Sequence, residues 1–484
     1  MKYSFRNLAC MGLFLYMPPA LAQSTQLLQA DFVHPPKEAR PQVWWHWMNG
    51  NISAEGIRKD LLWMHEIGIG GIHLFDANLS TPQIVPQRIE YMTAPWQACF
   101  RQAIHMADSL QMEVTLPTAA GWSNTGGPWV TPEDAMKRIT WRDTLLMGGQ
   151  THHCALPAPY TVSGTYQQVR SVKRSRQVPY YRDLYVLALR TPNEEVNMGD
   201  MVAQVQAHKG TFQAALLYDD DLETMQQLPA EPKQGKAWLS LTLHKAYCIK
   251  AIQLATSPKM GDWGIELYNP KKYLESSQDG IHFTKVCDIP NGYAPLQTLS
   301  IPPTTARHFR LVCQCKQGSV GIAELKLCTT DRVHHAEEKA GFAGVIDIAL
   351  QTTPQHALGT PLQEVLDITS HVDAQGHLHW QAPEGKWHIL RFGYALTGKE
   401  NHPASPEATG LEVDKYDSAA VHRYFEHYLA IYQRLLGDSL MGKRGLRALL
   451  MDSYEAGFAT WTSRMREAFR NRRGYDLLPC CVPQ

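Results

Sequence analysis

Glu455 has the residue type and the setting of a general acid. It follows an apolar run at 446–451 (LRALLM) that is typical of a buried strand, and it lies three residues after Asp452 in the segment DSYEAG. A carboxylic acid that is partly withdrawn from water keeps its proton to higher pH, so such a group can protonate a departing oxygen. A second interpretation stays open, in which Asp452 caps the turn and Glu455 makes a structural hydrogen bond or holds a metal.

Other acidic residues also follow strand-like segments. Glu412 and Asp414 form a pair within GLEVDK, and Asp76 directly follows the apolar run 72–75 (IHLF). Carboxylates at strand ends are suited to binding hydroxyl groups of a substrate, and Glu412 is a candidate for that role. Alternatives stay open here too: Asp414 beside Lys415 is consistent with a solvated side chain, and Asp76 either binds substrate hydroxyls or caps the next loop.

Aromatic residues are dense in the run 43–48 (VWWHWM), where successive side chains of a strand point to opposite faces. One face is therefore expected to be core while the other looks into a pocket, and His46 is interpreted as a hydrogen-bonded core residue. The candidate binding residues along the whole chain are Trp45, Trp47, Asn49, Asp76, Trp122, Glu412 and Asp452.

The elements that must position these residues alternate between strand and helix at the start of the chain. Apolar runs predict strands over 43–48, 72–75 and 112–116, with helices beginning at Ser53 and Thr93 between them. Strands and helices in this series predict parallel strands with right-handed crossovers. Enzymes built on such sheets carry their chemistry at the carboxyl ends of the strands, which is where Asn49, Asp76 and Trp122 lie.

The middle of the chain has a different pattern. Over 142–385 the helical period almost disappears, and short alternating runs separated by Pro, Gly and Asp predict an inserted β-rich region. Its stretch from about 239 to 328 contains SSQDGIHF and ARHFRL and resembles discoidin-like jelly rolls. Such modules often bind carbohydrate, and two interpretations stay open: this one binds carbohydrate, or it only braces the rest of the chain.

The helical and strand-like alternation returns from residue 386. A strand-like run at 388–394, a further run at 410–413 and a strongly amphipathic helix from Ser418 precede the run at 446–451. The predicted fold is therefore α/β: an incomplete (β/α)8 barrel over 38–141 and 386–484, interrupted by a β-sandwich insertion. Counting strands gives five at most for the barrel, so it is expected to end before closure.

Composition excludes several classes of protein. The chain has 484 residues with 46 basic and 46 acidic side chains, which argues against a nucleic-acid binder. Neither GxGxxG nor a P-loop motif is present, so no nucleotide or other organic cofactor is expected. The cysteines show no CxxC pair and no zinc spacing, so no metal held by cysteine is predicted. The sequence gives no basis for predicting an oligomeric state.

The first 22 residues have the layout of a secretory signal peptide. Lys2 and Arg6 form a basic start, an apolar run occupies 8–16, and an A-x-A pattern ends at Ala22. The apolar run is too short to span a bilayer, which needs about 20 residues, and no later segment is typical of a transmembrane helix. We expect cleavage near Ala22 and export to the periplasm or beyond, without membrane insertion.

Four long segments, in this order along the chain, resemble glycoside hydrolase family 106, the α-L-rhamnosidases. They are 43–77 (VWWHWMNGNISAEGIRKDLLWMHEIGIGGIHLFDA), 117–141 (PTAAGWSNTGGPWVTPEDAMKRITW), 410–417 (GLEVDKYD) and 452–462 (DSYEAGFATWT). The resemblance implies hydrolysis of terminal α-L-rhamnose with inversion of configuration, on plant pectic or other rhamnose-bearing glycans. It also implies calcium at the sugar site, and it implies Glu455 as an active-site carboxylate, either as the acid or beside the metal.

The resemblance further implies a longer chain than this one. An inverting mechanism needs a second carboxylate about 6.5–9.5 Å from the acid to activate water, and the resemblance places that general base beyond residue 484. A retaining mechanism would need two carboxyl groups about 5–5.5 Å apart, for which Glu412 and Glu455 are the candidates. An unclosed barrel leaves unpaired strand edges, so we expect the 484-residue product to be inactive or unstable alone. The competing hypothesis is a truncated, non-catalytic remnant that at most binds carbohydrate through its β module.

Overall fold

The fold was determined as a computed structural model of the chain. The structure describes residues 25–159, 179–191, 195–230, 235–256, 270–290, 294–314, 318–342, 352–354, 364–451 and 453–481. The predicted signal peptide and Asp452 lie outside the described residues.

Helices and strands alternate at both ends of the described chain, and strands dominate its middle. The α-helices are α1 (Thr25–Val33), α2 (Ala54–Glu66), α3 (Ala94–Ser109), α4 (Met198–Met201), α5 (Ser418–Leu436) and α6 (Met465–Arg473). The strands are β1 (Gln42–Met48), β2 (Gly71–Ala77), β3 (Glu113–Pro117), β4 (Lys137–Met147), β5 (Thr151–Ala155), β6 (Tyr181–Arg190), β7 (Val202–Ala207), β8 (Gln226–Pro229), β9 (Lys236–Thr256), β10 (Lys271–Ser277), β11 (Thr284–Ile289), β12 (Gln297–Gln314), β13 (Ser319–Cys328), β14 (Val365–Asp367), β15 (His377–Gln381), β16 (Lys386–Leu396) and β17 (Leu446–Leu450). The protein is therefore a mixed α/β protein with several antiparallel sheets.

A parallel sheet forms the centre of the first of two compact units. This unit comprises the described residues within Met1–Trp122, Pro403–Glu407 and Leu429–Asp452. Its strands follow the order β1-β2-β3-β17, and all neighbouring pairs run parallel. Parallel neighbours cannot be joined by a tight turn, and helices α2 and α3 provide the crossovers between the first three strands. The carboxyl ends of the four strands consequently lie at one edge of the sheet.

Helices α2 and α3 form because their apolar residues fall on one face. In α2 the buried positions are Ile57, Leu61 and Met64, and Ser53 caps the helix by accepting a hydrogen bond from the Gly56 N–H at 3.1 Å. In α3 the buried stripe is Trp96, Cys99, Phe100, Ala103, Ile104 and Ala107. Strand β2 is buried along nearly its whole length, as expected for a parallel strand covered by helices.

Antiparallel sheets build the second compact unit. This unit comprises the described residues within Ser123–His402, Ala408–Tyr428 and Ser453–Gln484. A seven-stranded sheet has the order β11-β10-β12-β9-β13-β8, with β7 paired to β9. A four-stranded sheet has the order β14-β6-β16-β4, and β15 pairs with β5. Inward-facing residues alternate along the strands, as with Leu239, Leu241 and Leu243 of β9, and these side chains form the core of the seven-stranded sheet.

The structure does not confirm a barrel. The parallel sheet has four strands among the described residues, and 388–394, which the sequence analysis assigned to the barrel, belong to β16 of an antiparallel sheet. A continuous apolar run is expected both in a parallel and in an antiparallel sheet when both faces of the sheet are covered. The assignment of 388–394 to the barrel was wrong for this reason. Leu411 and Val413 form single bridges to Glu400 and Ala135 rather than a strand. The proposed domain boundaries and the discoidin-like module stay predictions.

Helix α5 begins at Ser418, whereas the amphipathic pattern predicted Ser418 as its N-terminal cap. The Asp417 carboxylate accepts a hydrogen bond from the Ala419 N–H at 3.0 Å and so provides the N-terminal cap. Within the described part of the chain, every helix is too short or too polar to cross a membrane.

Candidate active site

Asn49 follows β1 at the carboxyl edge of the parallel sheet. Its backbone is left-handed, with φ of 54°, a conformation that Asn tolerates better than most residues. Its Nδ2 donates to the Thr81 carbonyl at 2.7 Å, and its Oδ1 accepts from Arg88 Nε at 2.8 Å. Asn49 therefore fixes the next loop and orients Arg88, and its contact with a substrate stays a prediction.

Asp76, near the end of β2, is a buried acid on the helix side of the sheet. Its side chain is 7% exposed, and Oδ2 accepts a hydrogen bond from the Trp96 indole N–H of α3 at 2.9 Å. Burial raises the pKa of Asp76 to about 7; the Trp96 hydrogen bond opposes the rise, Glu407 adds to it, and Arg88 opposes it. A large fraction of this carboxyl is therefore protonated at neutral pH. The hydrogen bond to Oδ2 comes from an indole of α3, and both substrate binding and loop capping by Asp76 stay predictions.

Arg88 and Glu407 form an ion pair in the same unit. Arg88 Nη2 donates to Glu407 Oε1, and Arg88 Nε also donates to the Asn49 carbonyl at 3.0 Å. Glu407 Oε1 accepts a further hydrogen bond from the Tyr91 backbone N–H at 3.2 Å. Burial acts to raise the pKa of Glu407, but backbone hydrogen bonds, a neighbouring hydroxyl group and Arg88 together hold it below its ordinary value. The unit thus combines a charged carboxylate with a largely neutral one, Asp76.

Trp45 and Trp47 face the helices rather than the opposite side of the sheet. Trp45 Nε1 donates to Asp60 of α2 at 3.1 Å. The Trp47 ring is 1% exposed and meets the Trp96 ring of α3 edge-on, with centroids 5.9 Å apart. These contacts make both residues part of the sheet–helix packing, and substrate binding by either one stays a prediction.

The other face of β1 carries His46, which lies beside Trp122. His46 stacks on Phe75 with ring centroids 5.0 Å apart and meets Trp122 edge-on at 6.3 Å. Burial lowers the pKa of His46, which keeps its ring neutral. Among the described residues the buried Trp122 indole N–H has no hydrogen-bond partner, and its contact with a substrate stays a prediction.

Glu412, a candidate carboxylate in the second unit, is almost completely buried, at 1% exposure. Thr125 Oγ1 donates to Glu412 Oε2 at 2.6 Å, and Lys415 Nζ donates to the same oxygen at 2.7 Å. A buried carboxylate needs a compensating charge, which Lys415 supplies. Glu412 Oε1 is buried and has no hydrogen-bond partner in the part of the chain that the structure describes.

Asp414 is fully buried, and the interpretation of a solvated side chain is wrong. Its exposure is 0%, and Oδ2 lies 3.5 Å from Lys137 Nζ. Its Oδ1 accepts from the Tyr416 backbone N–H at 3.0 Å. Lys415, its sequence neighbour, pairs with Glu412 instead, so a charge from a distant strand neutralises Asp414.

The Glu455 side chain is partly exposed to solvent and lies beside the imidazole of His402. Its side chain is 33% exposed, and Oε2 lies 3.4 Å from Nε2 of His402, which is 39% exposed. The segment that follows is fixed to β4: the Thr460 N–H donates to the Lys137 carbonyl at 3.1 Å, and Thr460 Oγ1 accepts from the Ile139 N–H at 2.9 Å. An exposed carboxyl on an anchored segment suits proton transfer to a bound substrate, although a purely structural contact with His402 has the same geometry.

Sequence reasoning missed several residues that shape these groups. Trp96, Arg88 and Glu407 around Asp76 were not singled out, nor was His402 beside Glu455. The available signal was weak: His402 stands in a polar segment with prolines, KENHPASPEATG, and a lone histidine in a loop has no characteristic spacing.

The calcium ion that the resemblance implies stays a prediction. Ca²⁺ takes 6–8 oxygen ligands, several of them from carboxylates. In the ranges covered by the structure, no three His, Cys, Asp or Glu side chains are grouped so that they could hold a metal. Asp452, a candidate binding residue, is outside those ranges, and no step below depends on a metal.

A partly exposed carboxyl with a histidine partner is a feature of enzymes that use carboxyl groups for acid catalysis, as glycoside hydrolases do. The chain belongs to glycoside hydrolase family 106: the family's sequence model, described as alpha-L-rhamnosidase, matches residues 33–483. This match confirms the resemblance that the four segments indicated.

Two similar proteins are much longer than this chain. A solved rhamnosidase from Novosphingobium sp. PP1Y is 39% identical, with a TM-score of 0.83, over 93% of this chain and 42% of that one. A protein of Formosa agariphila that carries the provisional name beta-glucuronidase is 25% identical over 472 residues, which cover 97% of this chain and 27% of that protein. The chain thus spans less than half the length of either relative.

Proposed function

We propose that the chain acts in the hydrolysis of terminal α-L-rhamnosides, with Glu455 as the general acid. Membership of family 106 and the 39% identity to a solved rhamnosidase support the substrate class. The observation that carries the role of Glu455 is its one-third-exposed carboxyl on an anchored segment, with Oε2 3.4 Å from His402 Nε2.

The proposed reaction is hydrolysis with inversion. Glu455 gives its proton to the glycosidic oxygen while the bond between that oxygen and C1 of rhamnose breaks, and the electron pair of the bond stays on the oxygen. Water adds to C1 from the opposite face and loses its proton to a second carboxylate. The products are rhamnose and the alcohol of the departing group, and exchange with solvent restores both carboxyl groups.

Glu412 is the proposed acceptor for a sugar hydroxyl in the second unit. Its Oε2 accepts from Thr125 and Lys415, whereas the buried Oε1 has no hydrogen-bond partner among the described residues and would be reached only if the site opens to a sugar hydroxyl. A site built to bind a substrate hydroxyl rejects analogues that lack it, because a buried polar group is then left unpaired. Rhamnose on pectic or other plant glycans is the proposed natural substrate.

A direct comparison of two substrates tests the proposal. The purified chain is assayed with p-nitrophenyl α-L-rhamnoside and with p-nitrophenyl β-D-glucuronide, since one relative carries the glucuronidase name. Binding of each sugar is followed in parallel by saturation-transfer NMR. Under this proposal, and against the expectation from the sequence that the 484-residue product is inactive or unstable alone, we expect binding and cleavage of the rhamnoside only. A preference for the glucuronide, or neither binding nor cleavage of the rhamnoside, contradicts the proposal.

Export is proposed from the N-terminal segment. The basic start, the apolar run and the A-x-A pattern ending at Ala22 support cleavage at that point. N-terminal sequencing of protein recovered from the periplasm or the medium of the producing cells should begin near residue 23. Protein confined to the cytoplasm with Met1 retained contradicts the proposal.

A further inference from the structure

His402 is held in place before any substrate binds. Its backbone N–H donates to Ser123 Oγ at 2.9 Å, and Ser123 Oγ donates in turn to the His402 carbonyl at 3.3 Å. Its ring nitrogen Nδ1 forms a hydrogen bond of 3.3 Å with the Glu400 carbonyl oxygen. Ser123 itself is buried, so the imidazole is fixed from both its backbone and its ring.

The loop that carries His402 is closed by hydrogen bonds on either side. The Asn401 N–H donates to the Gly410 carbonyl at 3.1 Å, and the Gly410 N–H donates to Asn401 Oδ1 at 2.8 Å. Further along, the Glu412 N–H donates to the Lys399 carbonyl at 2.9 Å. These hydrogen bonds tie the loop to the segment that carries Glu412. We therefore expect the His402 imidazole to keep a fixed position.

The contact with Glu400 determines which ring nitrogen carries hydrogen. A carbonyl oxygen only accepts, so Nδ1 of His402 must be the donor. Nε2 then lies 3.4 Å from Glu455 Oε2, which is an ion-pair distance, and the contact is attractive when Nε2 carries a proton. In that state the ring is an imidazolium beside Oε2, and the transferable proton of the acid is carried by Oε1.

We propose that His402 is a positioning residue for the reaction, which orients the Glu455 carboxyl through Oε2 and stabilises the negative charge that develops on it. This inference rests on the proposed role of Glu455 as the acid. When the Oε1–H bond breaks, its electron pair stays on Glu455, the proton joins the glycosidic oxygen, and the bond from that oxygen to C1 breaks. His402 keeps both of its protons throughout. A fixed cation beside a charge that forms only in the transition state lowers the barrier without tighter substrate binding.

Substitutions at His402 separate orientation from charge. We expect His402→Ala to lower kcat by about 100-fold with little change in KM, the size of effect expected from a misplaced catalytic group. Added imidazole should restore much of the rate. His402→Gln places an amide N–H near the position of Nε2 and should retain more activity than His402→Asn, whose amide is too short to reach Glu455. Loss of activity through KM alone, or no rescue by imidazole, overturns the proposal.

A matched control distinguishes this role from general damage. His377 also lies beside a carboxylate, with Nδ1 3.1 Å from Asp373 Oδ2, and it is half exposed. His377→Ala should leave kcat and KM unchanged. If wild type and Glu455→Gln cleave rhamnosides equally, the role of Glu455 fails; if Glu455→Gln is slow while His402→Ala is as fast as wild type, only the inference about His402 fails.

A second readout does not depend on activity. Long-range ¹H–¹⁵N spectra of histidine-labelled protein, with His402→Gln as the assignment reference, report which ring nitrogen is protonated. We expect hydrogen on both Nδ1 and Nε2 of His402 in the wild-type protein, and the Nε2 resonance to move in Glu455→Gln. A neutral ring with its hydrogen on Nε2, or an Nε2 resonance unaffected by Glu455→Gln, overturns the proposal.

Discussion

Asp76→Asn tests how a buried carboxyl couples the stability of the first unit to pH. The Asp76 side chain is 7% exposed, and burial raises its pKa from 3.8 to about 7. The unfolded chain releases this proton near the ordinary value, whereas the folded protein keeps it until about pH 7. The stabilisation from the neutral carboxyl is therefore complete below the unfolded value, declines as pH rises, and is lost once pH passes the folded value.

The size of the effect on the free energy of unfolding follows from the pKa of Asp76 in the unfolded chain and in the folded protein. One pKa unit corresponds to about 1.4 kcal/mol, so the interval from 3.8 to about 7 corresponds to about 4 kcal/mol of folding free energy. Asn has nearly the same shape, keeps an oxygen for the Trp96 N–H and does not ionise. We expect Asp76→Asn to match wild type or to be slightly less stable near pH 4, and to be more stable by up to about 4 kcal/mol at pH 8.

Urea unfolding followed by tryptophan fluorescence between pH 4.5 and 8.5 measures this difference. Asp60→Asn is the matched control, because Asp60 also accepts an indole N–H, from Trp45 at 3.1 Å, but is exposed. That variant should follow wild type at every pH. A stability difference between Asp76→Asn and wild type that does not change with pH, or that favours wild type at pH 8, refutes the reasoning.

The remaining predictions concern packing in the second unit. Gly341 has φ of 85°, and a Cβ there would lie 2.7 Å from Thr460 Cγ2, so Gly341→Ala should cost roughly 1–3 kcal/mol in urea unfolding. An unchanged unfolding midpoint contradicts this. Thr125→Val removes a donor from the buried Glu412 and should cost roughly 1–3 kcal/mol, whereas Thr125→Ser keeps the hydroxyl and stays near wild type. Equal stability of the two Thr125 variants would show that this hydrogen bond contributes nothing.

Local elements could be predicted from the sequence because their signals are local. Ser53 marks the start of α2, as its cap hydrogen bond shows. Helix α6 (Met465–Arg473) ends at Gly474, whose φ of 79° is a left-handed conformation suited to glycine, so the glycine is a local signal for the end of the helix. The parallel order of β1, β2 and β3 followed from their alternation with helices.

Features that depend on distant partners could not be predicted. The apolar pattern of β16 contains nothing that distinguishes a parallel from an antiparallel neighbour, so its place beside β4 and β6 was missed. Asp414 looked solvated because Lys415 adjoins it, but its charge partner is Lys137, far away in sequence. The contact between His402 and Glu455 likewise joins two loops that show no shared spacing.

The most direct test of the central claim is the rate of rhamnoside hydrolysis by wild type and Glu455→Gln with departing groups of different acidity. A general acid increases the rate by about 10²–10⁴-fold, and its contribution is largest when the departing alcohol is a poor leaving group. We therefore expect Glu455→Gln to lose about 10²–10⁴-fold on alkyl α-L-rhamnosides and much less on the 2,4-dinitrophenyl rhamnoside. Glu426→Gln, an exposed position on α5, should behave as wild type. Equal rates for wild type and Glu455→Gln on the alkyl substrates would contradict the account.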